Sequence, residues 1–159
     1  MRLTVYTDFS LRVLIFLALK GDELGTIAEI AKAYGISKNH LMKVAHQLGR
    51  AGYIETVRGK GGGLRLARRP EEIVIGDVVR RTESGSALVP CFAPRDDDCV
   101  IYPRCILRGA LAKAQNAFLA TLDEYSLADF VRPRAPLRKL LLLRSREATA
   151  ARGLRVVQA

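Results

Sequence analysis

Residues 25–54 read GTIAEIAKAYGISKNHLMKVAHQLGRAGYI, and this stretch decides the fold. Thr26 followed three residues later by Glu29 is a capping box, so a helix starts after Thr26. Gly35 suits the left-handed conformation that ends helices, which places the stop near Ala33. Ser37 then caps a further helix. In it Leu41, Val44, Ala45 and Leu48 follow the i, i+3, i+4, i+7 spacing of an inward face. Lys38, Asn39, Lys43, Gln47 and Arg50 fall largely on the other side. Two short helices joined by a glycine-containing turn, the second polar and basic outside, make a helix-turn-helix pattern. An ordinary helical hairpin with a solvated face carries the same pattern, so the neighbouring segments have to decide.

Downstream, YIETVRGKGGGLRLARRP (Tyr53–Pro70) sets two strand-like runs around Gly-Lys-Gly-Gly-Gly. Such a tip needs positive φ angles, which glycine adopts without steric cost. Between Val57 and Arg69 there are five Lys/Arg and no acid, so the hairpin is a cationic one. A bare glycine tip at Gly61 and Gly62 lets the backbone approach a phosphate or the minor groove, with Arg58, Lys60 and Arg65 supplying charge. Helix-turn-helix plus basic hairpin is the winged-helix arrangement. Upstream, a first helix is expected after Thr7, with Asp8 in its first turn and Phe9, Val13, Phe16, Leu17 and Leu19 directed to the core.

On this arrangement Lys and Arg of the wing position the protein on phosphates of double-stranded DNA without reading sequence. Ser37, Lys38, Asn39, His40 and Lys43, at the start of the third helix, are placed to reach base edges in the major groove. His40 and His46 are read as DNA-contacting or packing residues rather than metal ligands. Charge agrees: residues 1–80 hold 13 Lys/Arg against 8 Asp/Glu, residues 81–131 hold 5 against 7, and residues 132–159 hold 8 against 1. Basic ends around a slightly acidic middle suit a polyanionic partner. No stretch approaches the ~20 apolar residues that span a bilayer. VLIFLAL (Val13–Leu19) is read as a core helix rather than a leader, and the expected location is the cytoplasm. No Ser/His/Asp or Cys/His arrangement suggests an enzyme.

The middle of the chain holds every cysteine. CFAPRDDDCVIYPRC (Cys91–Cys105) has the spacing C-x7-C-x5-C, which matches neither paired zinc knuckles nor a C-x-x-C redox motif. Cys105 falls at the expected start of a long helix, where the dipole and free N–H groups favour thiolate. An iron–sulfur cluster, a zinc ion and a bare thiol switch all stay open on these residues alone. Beyond the loop, CILRGALAKAQNAFLATLDEYSLADF reads as one long helix. Leu107, Leu111, Ala114 and Phe118 repeat at alternating spacings of four and three, with Leu119 and Leu122 widening the stripe. So narrow a seam suits pairing of two helices; packing on the chain's own winged helix is the alternative. A two-fold homodimer would read a palindromic operator.

These residues together resemble the winged-helix regulator family that includes the nitric-oxide-sensing repressor NsrR and the iron–sulfur-biogenesis regulator IscR. The resemblance runs over about residues 1–143. It is carried by LTVYTDFSLRVLIFLA, ISKNHLMKVAHQLGRAGYIETVRGKGGGLRLA, IGDVVR, the three-cysteine loop and LADFV. It implies a mainly α fold with a small β-hairpin, a winged helix-turn-helix plus a long dimerisation helix. It also implies a homodimeric repressor whose 2Fe–2S or 4Fe–4S cluster supports operator binding until nitric oxide attacks the iron. Cys91, Cys99 and Cys105 match the family's cluster cysteines, and Asp8 matches an N-terminal aspartate that serves some members as a fourth ligand across the dimer. IscR-type members carry a histidine ligand where this chain has Arg108, which cannot ligate. Asp96, Asp97 and Asp98, inserted between the first two cysteines, are read as a solvated turn.

The expected organisation is a DNA-binding domain over 1–80, a cluster loop over 81–105, a dimerisation helix and C-terminal helices over 106–143, and a flexible basic tail over 144–159. Rival readings are an IscR-like reporter of iron–sulfur status, a clusterless thiol switch and a small iron–sulfur electron carrier. The last leaves wing and recognition helix without a purpose.

Overall fold

Helix α1 (Val5–Lys20) begins three residues earlier than its aspartate suggests, because Thr4 and not Thr7 is its cap: the Thr4 hydroxyl accepts the Thr7 N–H at 3.2 Å. Asp8 remains in the first turn. The computed structural model describes residues 2–83, 87–92 and 99–141. Asp96, Asp97, Asp98 and the basic tail lie outside the described residues. The dense apolar run of α1 buries Val13, Leu14, Phe16, Leu17, Ala18 and Leu19, which makes this helix the centre of the core.

Helix α2 (Ile27–Tyr34) starts at the capping box expected of Thr26 and Glu29. Gly35 ends it at φ +68°, in the left-handed region. Burial pushes the Glu29 carboxyl up, but hydrogen bonds from Lys20 and from the Thr26 N–H and hydroxyl outweigh that effect and hold it below the usual glutamate range. A lowered carboxylate contributes stability that is complete above its unfolded pKa and is lost as pH falls through the folded value. Glu29→Gln is therefore expected to lower Tm by ~2–4 °C at neutral pH, about 1 kcal/mol, with the gap to wild type closing below about pH 4. Thermal denaturation at stepped pH checks this, and a pH-independent gap would contradict it.

Helix α3 (Lys38–Arg50) is capped by Ser37, whose hydroxyl accepts the His40 N–H at 3.3 Å. Leu41, Val44 and Leu48 are buried and Ala45 half-buried, as the spacing predicts. Strands β1 (Ile54–Val57) and β2 (Gly63–Leu66) pair antiparallel in the register Ile54↔Leu66 to Val57↔Gly63. A bridge between Gly25 and Leu64 stitches the hairpin to the start of α2. The core then closes on α4 (Ile75–Thr82), which buries Ile75, Val78 and Val79.

Helix α5 (Ile106–Asp123) is long, but it stops seven residues short of Phe130. The chain turns there because residues 73–75 take up the backbone that follows: Tyr125 O accepts the Ile75 N–H at 2.9 Å and Ile73 O accepts the Leu127 N–H at 2.8 Å. The apolar stripe of α5 divides between the two readings given above. Phe118, Leu119 and Leu122 pack on the chain's own core, whereas Ile106 and Leu107 are 89% and 64% exposed. Arg80 of α4 grips the last turn of α5, its Nη1 lying 2.7 Å from Asp123 Oδ1. A helical segment over 134–141 then returns to α1, with Arg134 donating to the Leu19 carbonyl at 3.2 Å and Arg138 paired with Glu23 at 2.8 Å. Among the described residues no helix is long and apolar enough to cross a membrane.

Candidate DNA interface and cysteine site

The outer face of α3 and the tip of the hairpin present the polar residues singled out in the sequence. Lys38, Asn39, His40 and Lys43 are all exposed on α3, and Arg58, Lys60 and Gly61 are exposed at the wing. Ser37 spends its hydroxyl on the helix cap. His40 is held by its ring, tilted against Phe9 at 6.2 Å between centroids, which supports the packing role and fixes the start of α3 on α1. Arg65 lies on β2 opposite Glu55 and is paired with it, so its charge is partly answered within the hairpin.

The tip is built by glycine. Gly59 and Gly61 take φ +102° and +81°, where an L side chain is strained. Gly62 has an ordinary φ but no room: a Cβ there would collide with the Val57 carbonyl oxygen and lie 2.9 Å from that of Gly59. Gly62→Ala is expected to distort the wing and displace Arg58 and Lys60, the side chains expected from the sequence to meet phosphate. Each lost phosphate contact reduces the slope of log K against log salt by ~0.9. Anisotropy titrations across a salt series should show a slope lower by about one to two units; an unchanged slope would remove the wing from the interface.

The three cysteines are free thiols, Cys91 and Cys105 half-buried and Cys99 exposed. Each sits at a local backbone turn. Cys91 lies in a 3₁₀ turn (Pro90–Phe92), the Cys99 carbonyl accepts the Tyr102 N–H at 2.8 Å, and Cys105 is the N-cap of α5. The Cys105 sulfur accepts the Arg108 N–H at 3.4 Å, as expected of a residue at a helix start. Among the described residues no three His, Cys, Asp or Glu side chains gather into a metal-sized group. Asp8 is turned toward its own helix, its Oδ1 2.9 Å from Arg12 Nε, and is about half exposed.

Two features escape sequence reasoning because no local pattern marks which segments meet. The Arg108 guanidinium lies over the rings of Tyr102 and Phe92, 4.8 and 5.8 Å from their centroids, and its Nε donates to the Cys91 carbonyl at 3.5 Å. The Glu83 carboxylate, at the end of α4, accepts from the Thr4 N–H at 2.7 Å, from the Thr4 hydroxyl at 2.9 Å and from the Thr7 hydroxyl. Thr7 is fully buried, and its hydroxyl oxygen also lies 2.9 Å from that of Thr82. A carboxylate at the N-terminus of α1 is favoured by the helix dipole as well as by these donors. The segment leading to the cysteines thus departs from a residue locked onto α1.

Residues 3–133 match the Rrf2 family, described as an iron-dependent transcriptional regulator. The chain is 55% identical over 142 residues to the HTH-type transcriptional regulator NsrR of Geobacillus kaustophilus, covering 89% of this chain and 97% of that protein. It is 52% identical over 145 residues to NsrR of Bacillus subtilis, covering 91% and 99%. Among solved structures, T. potens IscR superposes with a TM-score of 0.69 at 22% identity, over 86% of this chain and 90% of that one. The oxidized form of Staphylococcus aureus CymR superposes at 0.66 with 25% identity, over 83% and 97%. Both likenesses agree with the winged-helix fold.

Proposed function

The chain belongs to the Rrf2 family of transcriptional regulators, and from that premise we propose that it is a homodimeric repressor that senses nitric oxide through an iron–sulfur cluster held by Cys91, Cys99 and Cys105. DNA binding and the absence of an enzymatic role follow from the family itself. The observation that carries the finer reading is a set of three free thiols, each at a backbone turn, in a chain more than half identical to NsrR proteins. The donor chemistry fits the group: thiolate is the usual ligand of iron–sulfur clusters, and Arg108 at the third position after Cys105 adds no competing one. Asp8 from the second copy is the fourth ligand in this reading, a harder and weaker donor than thiolate. Bound there, a cluster supplies iron at which nitric oxide can react.

The chain's own residues supply the rest. Ile106 and Leu107, with exposed Val100 and Ile101 in the turn that precedes α5, leave apolar side chains at the cysteine end of the helix that a second copy covers. Pairing there sets two recognition helices on a two-fold axis, which is the geometry that reads a palindrome. Glu83 fastens the origin of the cysteine segment to Thr4 and Thr7 of α1, and α1 packs on α3. A rearrangement at the cysteines therefore moves α1 and, through it, the helix that meets the bases. Displacing Asp8 acts on the same helix.

Iron and acid-labile sulfide per chain in anaerobically isolated protein, followed by nitric oxide titration of a duplex selected from a randomised pool, test this directly. Cluster-level iron and release of the duplex by the gas are expected, and Asp8→Ala should weaken iron retention or the response. Iron-free protein that still holds and releases the duplex on nitric oxide would overturn the reading. Colourless protein that releases DNA only on thiol oxidation would put the bare thiol switch in its place.

A further inference from the structure

We infer that Arg108 is the positioning residue of the cysteine site, clamping the Cys91 turn against the helix end that carries Cys105. The inference deepens the cluster reading and rests on it for its role in metal binding, though not for the clamp itself. One residue reaches three separate pieces of the site. Its main-chain N–H is on the Cys105 sulfur at 3.4 Å, its Nε is on the Cys91 carbonyl at 3.5 Å, and its guanidinium lies over Phe92 and Tyr102.

The chemistry of arginine matters here. Its planar fork donates in one direction while its faces stack on rings, which lysine cannot reproduce. Both ring distances lie within the ~6 Å reach of a cation–π contact. The Cys91 turn is a short 3₁₀ piece with no buried residue. Tyr102 sits in a second such turn, between Cys99 and Cys105. Removing the guanidinium leaves these turns without their common contact. It also removes a fixed positive charge from beside a site where three sulfurs become anionic on ligation.

Two measurements on the full-length protein separate the clamp from the cluster. In metal-free, reduced protein, alkylation of each cysteine is followed by mass spectrometry at one pH, with exposed Cys99 as the internal reference. Arg108→Ala should raise the Cys91 rate toward that of Cys99, and Tyr102→Ala should reproduce it, the double variant adding little because both remove one interaction. In anaerobically reconstituted protein, Arg108→Ala should lose iron to a chelator at ~10–100-fold lower concentration than wild type, the usual cost of removing a group that orients a ligand. Arg108→Lys, keeping the charge over Tyr102 but losing the fork, should fall between. Circular dichroism of the variants confirms that the winged helix is intact. An unchanged Cys91 rate in Arg108→Ala overturns the clamp whatever the iron content. A raised Cys91 rate in a protein whose wild type binds no iron keeps the clamp and dismisses the cluster.

Discussion

Cys105→Ser is expected to bring iron and sulfide per chain to background and to drop affinity for the selected duplex toward the non-specific range, a loss of ~10³-fold or more. The substitution isolates ligation from folding. Cys105 is also the N-cap of α5, where its sulfur accepts the Arg108 N–H. Serine is among the best N-cap residues, so the start of α5 and the turn before it should survive the change. An alanine variant would lose cap and ligand together, leaving the two causes entangled. A serine hydroxyl is a poor substitute for thiolate toward iron–sulfur clusters, so what disappears is metal binding. Iron analysis and anisotropy on the same preparation check it. A Cys105→Ser protein with wild-type iron and wild-type affinity would exclude this residue from the site.

Leu41→Ala should have the largest effect on stability, about 2–5 kcal/mol, because it leaves a cavity under the recognition helix. Leu41 is 0% exposed and lies on the inward face of α3, in the hydrophobic core. Against a total of ~5–15 kcal/mol, such a loss brings the protein close to unfolding at physiological temperature. Met42, the next residue, is 53% exposed, and Met42→Ala should stay within about 0.5 kcal/mol of wild type. Urea denaturation of the pair measures the contrast. Equal midpoints would mean that α3 is not anchored by its inward face. The contrast also has a functional side: Leu41 faces the core while Lys43, on the opposite face of the same turn, is exposed, so loss of Leu41 should weaken DNA binding only as far as it unfolds the protein.

The winged helix was legible in the order of residues because its determinants are local. Thr26 with Glu29, Gly35, Ser37 and the glycine run of the hairpin each act within four residues of themselves, and all of them form as expected. The three cysteines stood out by spacing and by their isolation in the chain. The start of α1 was misplaced because Thr4 and Thr7 are both competent caps. The choice between them is made by Glu83, which receives Thr4 and Thr7 together from 79 and 76 positions away. The end of α5 was misplaced for a similar reason, since residues 73–75 compete for the backbone after Asp123.

Composition and short-range pattern were thus enough for the class of fold, the reading head and the set of thiols. Tertiary structure alone decided which part of the α5 stripe packs inward and which stays exposed, that Arg65 answers Glu55, and that Arg108 gathers Phe92, Tyr102 and the Cys91 carbonyl. The physical reason is one of range. Caps, turns and amphipathic spacing are energies between near neighbours, readable along the chain. A cation over two rings, or a carboxylate across a helix end, exists only once the backbone has brought distant segments within hydrogen-bonding reach.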